Sequence, residues 1–215
     1  MPMLTFTALR YPTFRVPVLG GSAFRVAINA TPFLLPLLFQ LAFGWSAFHA
    51  GIMLTAIFAG NIVMKPWTSP ILRRFGFRAV LLWGTVLNAL AILALAFVGP
   101  GMPYSVLITL LFASGLVRSL QFTALATLAF ADVPQAEMSD ANVLFTTVGQ
   151  LGRGLGVAIG AICWRMGEAL FPNDAAAGFH FAFVVLGVLS LLALIDIRKL
   201  PRDAGEVVRQ GRRAR

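Results

Sequence analysis

The chain is poor in the residues that carry most covalent and acid–base chemistry. It has one cysteine, Cys163, and two histidines, so no disulfide can close within it and no metal-ligand cluster stands out. Cys163 lies in an apolar stretch and reads as a small packing residue. Only 12% of the residues are charged, roughly half the share of an ordinary soluble domain. Acidic residues are scarcest, 8 against 17 basic ones. No phosphate-binding glycine loop and no nucleic-acid motif is present. No signal peptide is expected at the N-terminus, because no short apolar core with a small-residue cleavage site precedes the first long apolar stretch. What the chain does hold is apolar: 59% of 215 residues, with mean hydropathy +0.85. These residues fall into runs long enough to cross a bilayer, broken by Gly/Pro or charged segments.

Six spans can be drawn. Residues 1–22, with Arg10, Pro12, Arg15 and Pro17, form a cytoplasmic lead-in. The spans are about 23–43, 50–67, 79–98, 104–129, 143–163 and 178–195 within a bundle of residues 23–197, and 198–215 is a basic cytoplasmic tail. Pro32 and Pro36 should kink span one. An even number of spans puts both ends on one side. The segments there carry Arg10, Arg15, Arg73, Arg74, Arg78, Arg198, Lys199, Arg202, Arg209, Arg212, Arg213 and Arg215, while the three loops of the other side carry no Lys or Arg. Lys/Arg bias in short loops sets orientation, so both termini are expected in the cytoplasm. The net charge of +9 therefore reads as membrane orientation, with no nucleic-acid partner expected.

Polarity is uneven. Span one holds Arg25, Asn29, Thr31 and Gln40; span four holds Arg118, Ser119, Gln121, Thr123 and Thr127. Spans three and six have little beyond Thr85, Asn88, His180 and Ser190. The first pair looks cavity-facing, the second lipid-facing. An arginine at mid-span costs roughly 2.5–3.5 kcal/mol to insert and usually faces a bundle interior or a water-filled cavity. Span five carries Gly149, Gly152, Gly154, Gly156 and Gly160, spacings that let helix backbones approach closely.

On three stretches the chain resembles the C-terminal half of a major facilitator superfamily transporter: ATPFLLPLLFQLAFGWSAFHAG (30–51), GLVRSLQFTALATLAFADVP (115–134) and SDANVLFTTVGQLGRGLGVAIGA (139–161). Within the superfamily it is most similar to the 14-span drug:proton antiporters. The superfamily's loop signature has an echo in SPILRRFGFR (69–78), where Arg74, Gly76 and Arg78 match; Ser69 and Arg73 stand where the signature has glycine and aspartate. The resemblance implies an all-α membrane fold of six helices in two inverted three-helix repeats. Its first and fourth spans would line a cavity, its second and fifth would meet another half, and its third and sixth would face lipid. It further implies a plasma-membrane location (the inner membrane in a Gram-negative cell), export of small amphipathic molecules, coupling to protons, and a partner that is either the missing N-terminal half or another six-span copy. No cofactor and no enzymatic activity are expected.

The candidate cavity residues are Arg118, Gln121, Asn29 and Gln40. Arg118 either binds an anionic substrate group, senses a proton-linked carboxylate, or braces a helix through carbonyl contacts. The three amides either meet substrate or join helices. Gly149, Gly152, Gly156, Gly160 and Arg153 are interface or packing candidates. Arg25 and Lys65 are expected to snorkel, and Arg165 can pair with Glu168 on one helix face. Two other classes compete with a transporter. A Ser114–His180 protease dyad lacks the glycine that precedes the serine pair in intramembrane serine proteases, and any oxyanion hole. A non-transporting six-span scaffold or truncated gene product is not separable from a transporter half by sequence.

Overall fold

The computed structural model describes residues 7–200, all helix and connecting turn. Six helices are long and apolar enough to cross a membrane: α1 Pro12–Ala42, α2 Ala47–Phe75, α3 Phe77–Leu95, α4 Tyr104–Ala129, α5 Gln135–Leu170 and α6 Ala177–Arg198. Most of the basic tail, including Arg202, Arg209, Arg212, Arg213 and Arg215, lies outside the described residues.

Three helices are longer than their apolar runs. α1 begins at Pro12, well inside the stretch read as a lead-in. Proline is tolerated in a first turn, where its missing N–H costs nothing. Further along, Pro17 sits in a π turn, Val16–Gly20, and a second π turn, Leu38–Ala42, follows directly after Pro36, so the prolines shift the hydrogen-bond register without ending the helix. α2 runs on through Pro66 and Pro70 to Phe75. α5 starts in the polar loop with a 3₁₀ turn, Gln135–Glu137. Gly76 then separates α2 from α3 with φ 78°, a conformation that disfavours any residue with a Cβ. This explains the glycine of the loop signature. Its Arg78 donates from Nη2 to the Arg198 carbonyl at 3.1 Å, closing the last turn of α6, and the Arg74 guanidinium stands 5.7 Å from the ring centre of Phe75.

α2 packs on α4, α5 on α1 and on α6, α3 on α6 and on α4, and α6 on α1. Exchanging α1 with α4, α2 with α5 and α3 with α6 leaves these pairings unchanged except one, the α5–α6 contact, whose counterpart between α2 and α3 is slight. Because successive helices run in opposite directions, the two three-helix units enter from opposite ends, which is an inverted repeat. α1 is the most enclosed helix, with 61% of its apolar window buried, against 44% for α3 and α6, 28% for α4 and 22% for α2 and α5. Two of the polar residues of α3 and α6 meet at their seam, where Asn88 donates to Ser190 Oγ at 3.2 Å, both buried. Each of the two helices thus has a covered side and a bare one, on which Trp83, Leu87, Val184 and Val188 are exposed.

At the end of the bundle where α1 starts and α6 stops, Thr13 Oγ1 donates to Asp132 Oδ2 at 2.8 Å and Arg10 pairs with Glu137. These bonds tie the head of α1 to the α4–α5 loop. At the far end Asp174 Oδ1 accepts from the backbone N–H of Ala176 and Ala177, leading into α6.

Candidate functional site

A groove of about 370 Å³ lies between α1, α4 and α5, nearer the end where α1 starts. Arg25 and Asn29 come from α1, Phe122, Thr123 and Ala126 from α4, and Phe145, Thr146, Gly149 and Arg153 from α5. The α5 contribution follows from helical spacing. Phe145, Thr146, Gly149 and Arg153 recur every three or four residues and make one stripe. The adjoining stripe, Gly152, Gly156 and Gly160, is buried on α1. A Cβ at Gly156 would come within 2.7 Å of the Val26 carbonyl, and one at Gly160 within 3.0 Å of the Ala30 Cβ. The glycines thus hold α5 on α1 within the chain, and the space beside them becomes the groove.

Arg25 does not snorkel. It is 3% exposed, its guanidinium stands 4.6 Å from the ring centre of Phe145, and its Nη1 is buried without a hydrogen-bond partner. The signal that could have found it is its register: Arg25 and Asn29 are one turn apart on one face of α1. Asn29 lines the groove as a candidate should, although its Nδ2 donates to the Arg25 carbonyl at 2.8 Å.

Arg118 stands behind the groove wall. Its guanidinium is 5.7 Å from the ring centre of Phe122, and its Nη1 donates to the Ile28 carbonyl at 3.3 Å. That carbonyl has no helical donor, because the residue four places on is Pro32. Arg118 supplies the bond that the proline withholds.

Two candidates are placed elsewhere. Gln121 is fully buried against α3, where Nε2 donates to Thr85 Oγ1 at 2.7 Å and to the Leu81 carbonyl at 3.3 Å, and Oε1 lies where Gly84 would otherwise carry a Cβ. Three residues beyond Arg118, it is offset by only about 60° around the helix, enough to meet α3 where Arg118 meets α1, so it joins helices and does not touch the groove. Gln40 lies in the π turn at the far end of α1, its Nε2 bonded to the Pro36 carbonyl at 3.1 Å. Arg165 and Glu168 do pair, at 3.1 Å on an exposed face.

The groove's electrostatics are one-signed. Its charged lining residues are Arg25 and Arg153, and no lining residue is acidic. The ion pairs among the described residues, Arg10–Glu137, Arg165–Glu168 and Lys199–Asp196, leave these two and Arg118 out. A buried guanidinium without a counter-charge is costly, and Arg25 is the lining residue that bears this cost.

The sequence model of the Major Facilitator Superfamily matches residues 17–215. Proteins named "Putative multidrug resistance protein MdtD" from Salmonella newport (strain SL254), Salmonella typhi and Salmonella typhimurium are each 30% identical to the chain, over 99% of its length and 46% of theirs. The chain thus spans about half the length of these curated relatives.

Proposed function

Since the chain belongs to the major facilitator superfamily, a family of membrane transporters, we propose that it acts as the C-terminal six-helix half of a proton-coupled exporter of small amphipathic compounds, inserted in the plasma membrane with both termini in the cytoplasm. It is an integral membrane protein, with six apolar spanning helices. The observation that carries the reading is the uncovered polar wall. Arg25, Asn29, Thr123, Thr146 and Arg153 line a groove on the outside of this bundle, and polar groups at membrane depth belong against protein or water, not hydrocarbon. A second six-helix body over α1, α4 and α5 would turn the wall into an enclosed path that opens alternately to either side. α2 and α5, with 22% of their apolar windows covered, offer the bare flanks for that contact. The length of the relatives, about twice that of this chain, supports the same arrangement.

Proton coupling would draw on the other half. The acidic side chains of the described residues, Asp132, Glu137, Asp140, Glu168, Asp174 and Asp196, all lie in loops or in the end turns of helices, so a mid-membrane carboxylate would have to come from outside this segment. Arg118 serves this reading as a positioning residue, holding α1 at its proline while Phe122 faces the path.

The test is efflux from drug-sensitive cells carrying the chain alone, a matching N-terminal half alone, or both. Export by the pair only, abolished by a protonophore, is the expected result. Export by the unpaired chain would replace the half-transporter with a self-sufficient unit, and export indifferent to the protonophore would remove the proton.

A further inference from the structure

We propose that the groove between α1, α4 and α5 binds the anionic head of a small aromatic carboxylate, so that the compounds handled here are organic anions rather than organic cations. The inference rests on the transporter reading for its consequence, but not for the binding itself.

The first support is Arg25. Its Nη1 is buried without a partner, on a side chain only 3% exposed, in the lining of the groove. A guanidinium presents a planar fork that matches a carboxylate with two parallel bonds, and this one has a donor left over. Arg153, from the facing helix, lines the same groove. Like charges held together by packing are relieved by an anion between them, whereas a cation would add to the repulsion. Thr123 and Thr146 line the same space and carry hydroxyls able to donate.

The second support is the apolar part. Phe122 on α4 and Phe145 on α5 both line the groove, each with an arginine against its ring on the Arg118 or Arg25 side. A flat apolar body fits beside them with its charged end at the arginines. The volume of about 370 Å³ falls in the range of small-molecule sites, roughly 300–1,000 Å³. A single carboxylate side chain from a covering half would leave most of it empty, which favours a free molecule as the occupant.

The test compares two probes of one shape and opposite charge, 4-phenylbutyrate and 4-phenylbutylamine, titrated against the purified full chain in lipid nanodiscs. The butyrate should bind at least about tenfold more tightly, a difference of about 1.4 kcal/mol. Arg25→Gln should lose at least that factor, and Arg25→Lys should recover part of it, having charge but no fork. Arg153→Gln, at an exposed position with no part in the α1–α5 contact, should lose severalfold and keeps the test valid if Arg25→Gln fails to fold. Equal or tighter binding of the amine, or butyrate affinity unchanged in Arg153→Gln and in whichever Arg25 variants fold, overturns the proposal. A second arm measures outward movement of both probes from cells carrying the chain with a matching N-terminal half. Movement of the amine alone sinks the anion site while leaving a transporter. Arginine-dependent butyrate binding with movement of neither probe upholds the site and sinks the transporter reading.

Discussion

The two helix crossings related by the inverted repeat, α2 on α4 and α1 on α5, are built from the same device and end differently. Both rely on glycine, because helices in lipid gain no hydrophobic drive from meeting and depend on close backbone approach. In the first, Gly60 and Gly115 face each other's helix so tightly that a methyl group at either would strike backbone, the Phe112 carbonyl or the Ile57 carbonyl. In the second, the fit is tightest at Gly156 and loosens from there toward the start of α5: the position of a Cβ is 3.0 Å from its neighbour at Gly160, 2.7 Å at Gly156 and 3.4 Å at Gly152, and at Gly149 it meets nothing within 4 Å. The closed crossing carries the fold. The splayed one opens a groove at the end where α1 starts. The two seams are alike in kind, and the groove lies where the glycines of the second stop meeting a partner.

The largest break in that comparison is Gly115→Val. Overpacking commonly costs about 1–3 kcal/mol, and here the obstacle is a carbonyl in mid-helix that cannot turn away, so the loss should exceed about 3 kcal/mol. The variant should give no monodisperse peak on size exclusion in detergent. Gly149→Val, with open space around it, should elute and melt like the parent. A well-behaved Gly115→Val chain would mean that α2 and α4 are not in backbone contact.

Gly156→Val comes next. Its side chain would meet the Val26 carbonyl and the Asn29 Cβ, but α5 has the groove beside it to move into. A loss of about 2 kcal/mol is expected, seen as a lower melting temperature with a folded peak retained. Because α5 would shift at the groove, butyrate binding should fall with it. Unchanged binding in a destabilised Gly156→Val chain would uncouple the crossing from the site.

The six helices were legible in the sequence because span length is imposed by the bilayer itself, whereas their inverted pairing was expected only from the resemblance to the superfamily. The helix ends were less legible: Pro12, Pro66 and Pro70 look like breakers, yet a first turn tolerates proline and α2 runs on through both of its prolines. The groove was legible only in part: of the cavity candidates Asn29 lines it, and Arg118, Gln121 and Gln40 do not. Mid-span cost singled out Arg118, and the same argument applied to Arg25 was deflected by its nearness to the chain end. What a sequence does not display is which face of α4 meets which neighbour. Arg118 and Gln121 look like one polar cluster, and packing sends them to α1 and α3. The glycines of α5 announced a helix contact without saying that the contact was α1.

The next difference is between carbonyls, not glycines. Arg118→Ala should cost about 1–2 kcal/mol, the penalty of leaving a buried carbonyl unmet, because Pro32 offers Ile28 no N–H. The cost should shrink in a Pro32→Ala background, where residue 32 can donate to Ile28 itself. A double-mutant cycle read from unfolding in mixed micelles checks this. An undiminished cost in the Pro32→Ala background would place the role of Arg118 outside the Ile28 bond. Transport per folded molecule should be nearly unchanged in Arg118→Ala, and a large drop there would return Arg118 to the substrate path.

The smallest effect belongs to its neighbour in sequence. Ser119 donates from Oγ to the Asn61 carbonyl at 2.8 Å, across the closed crossing, as Arg118 does to Ile28 on the groove side. The two bonds look alike, but their acceptors do not. Asn61 lies inside the continuous helix Ala47–Phe75 and is followed four places on by Lys65, which has an N–H to give. Its carbonyl is therefore already satisfied, and the serine bond is a second one on the same oxygen. Interhelical hydrogen bonds in membrane proteins average about 0.6 kcal/mol, and Ser119→Ala should cost no more than that, since alanine fits the same space and leaves nothing unpaired. The ratio of the two losses, measured in one micelle system, tests whether the missing N–H of Pro32 sets the value of the bond. A Ser119→Ala loss equal to that of Arg118→Ala would show that crossing geometry, and not the proline, decides it.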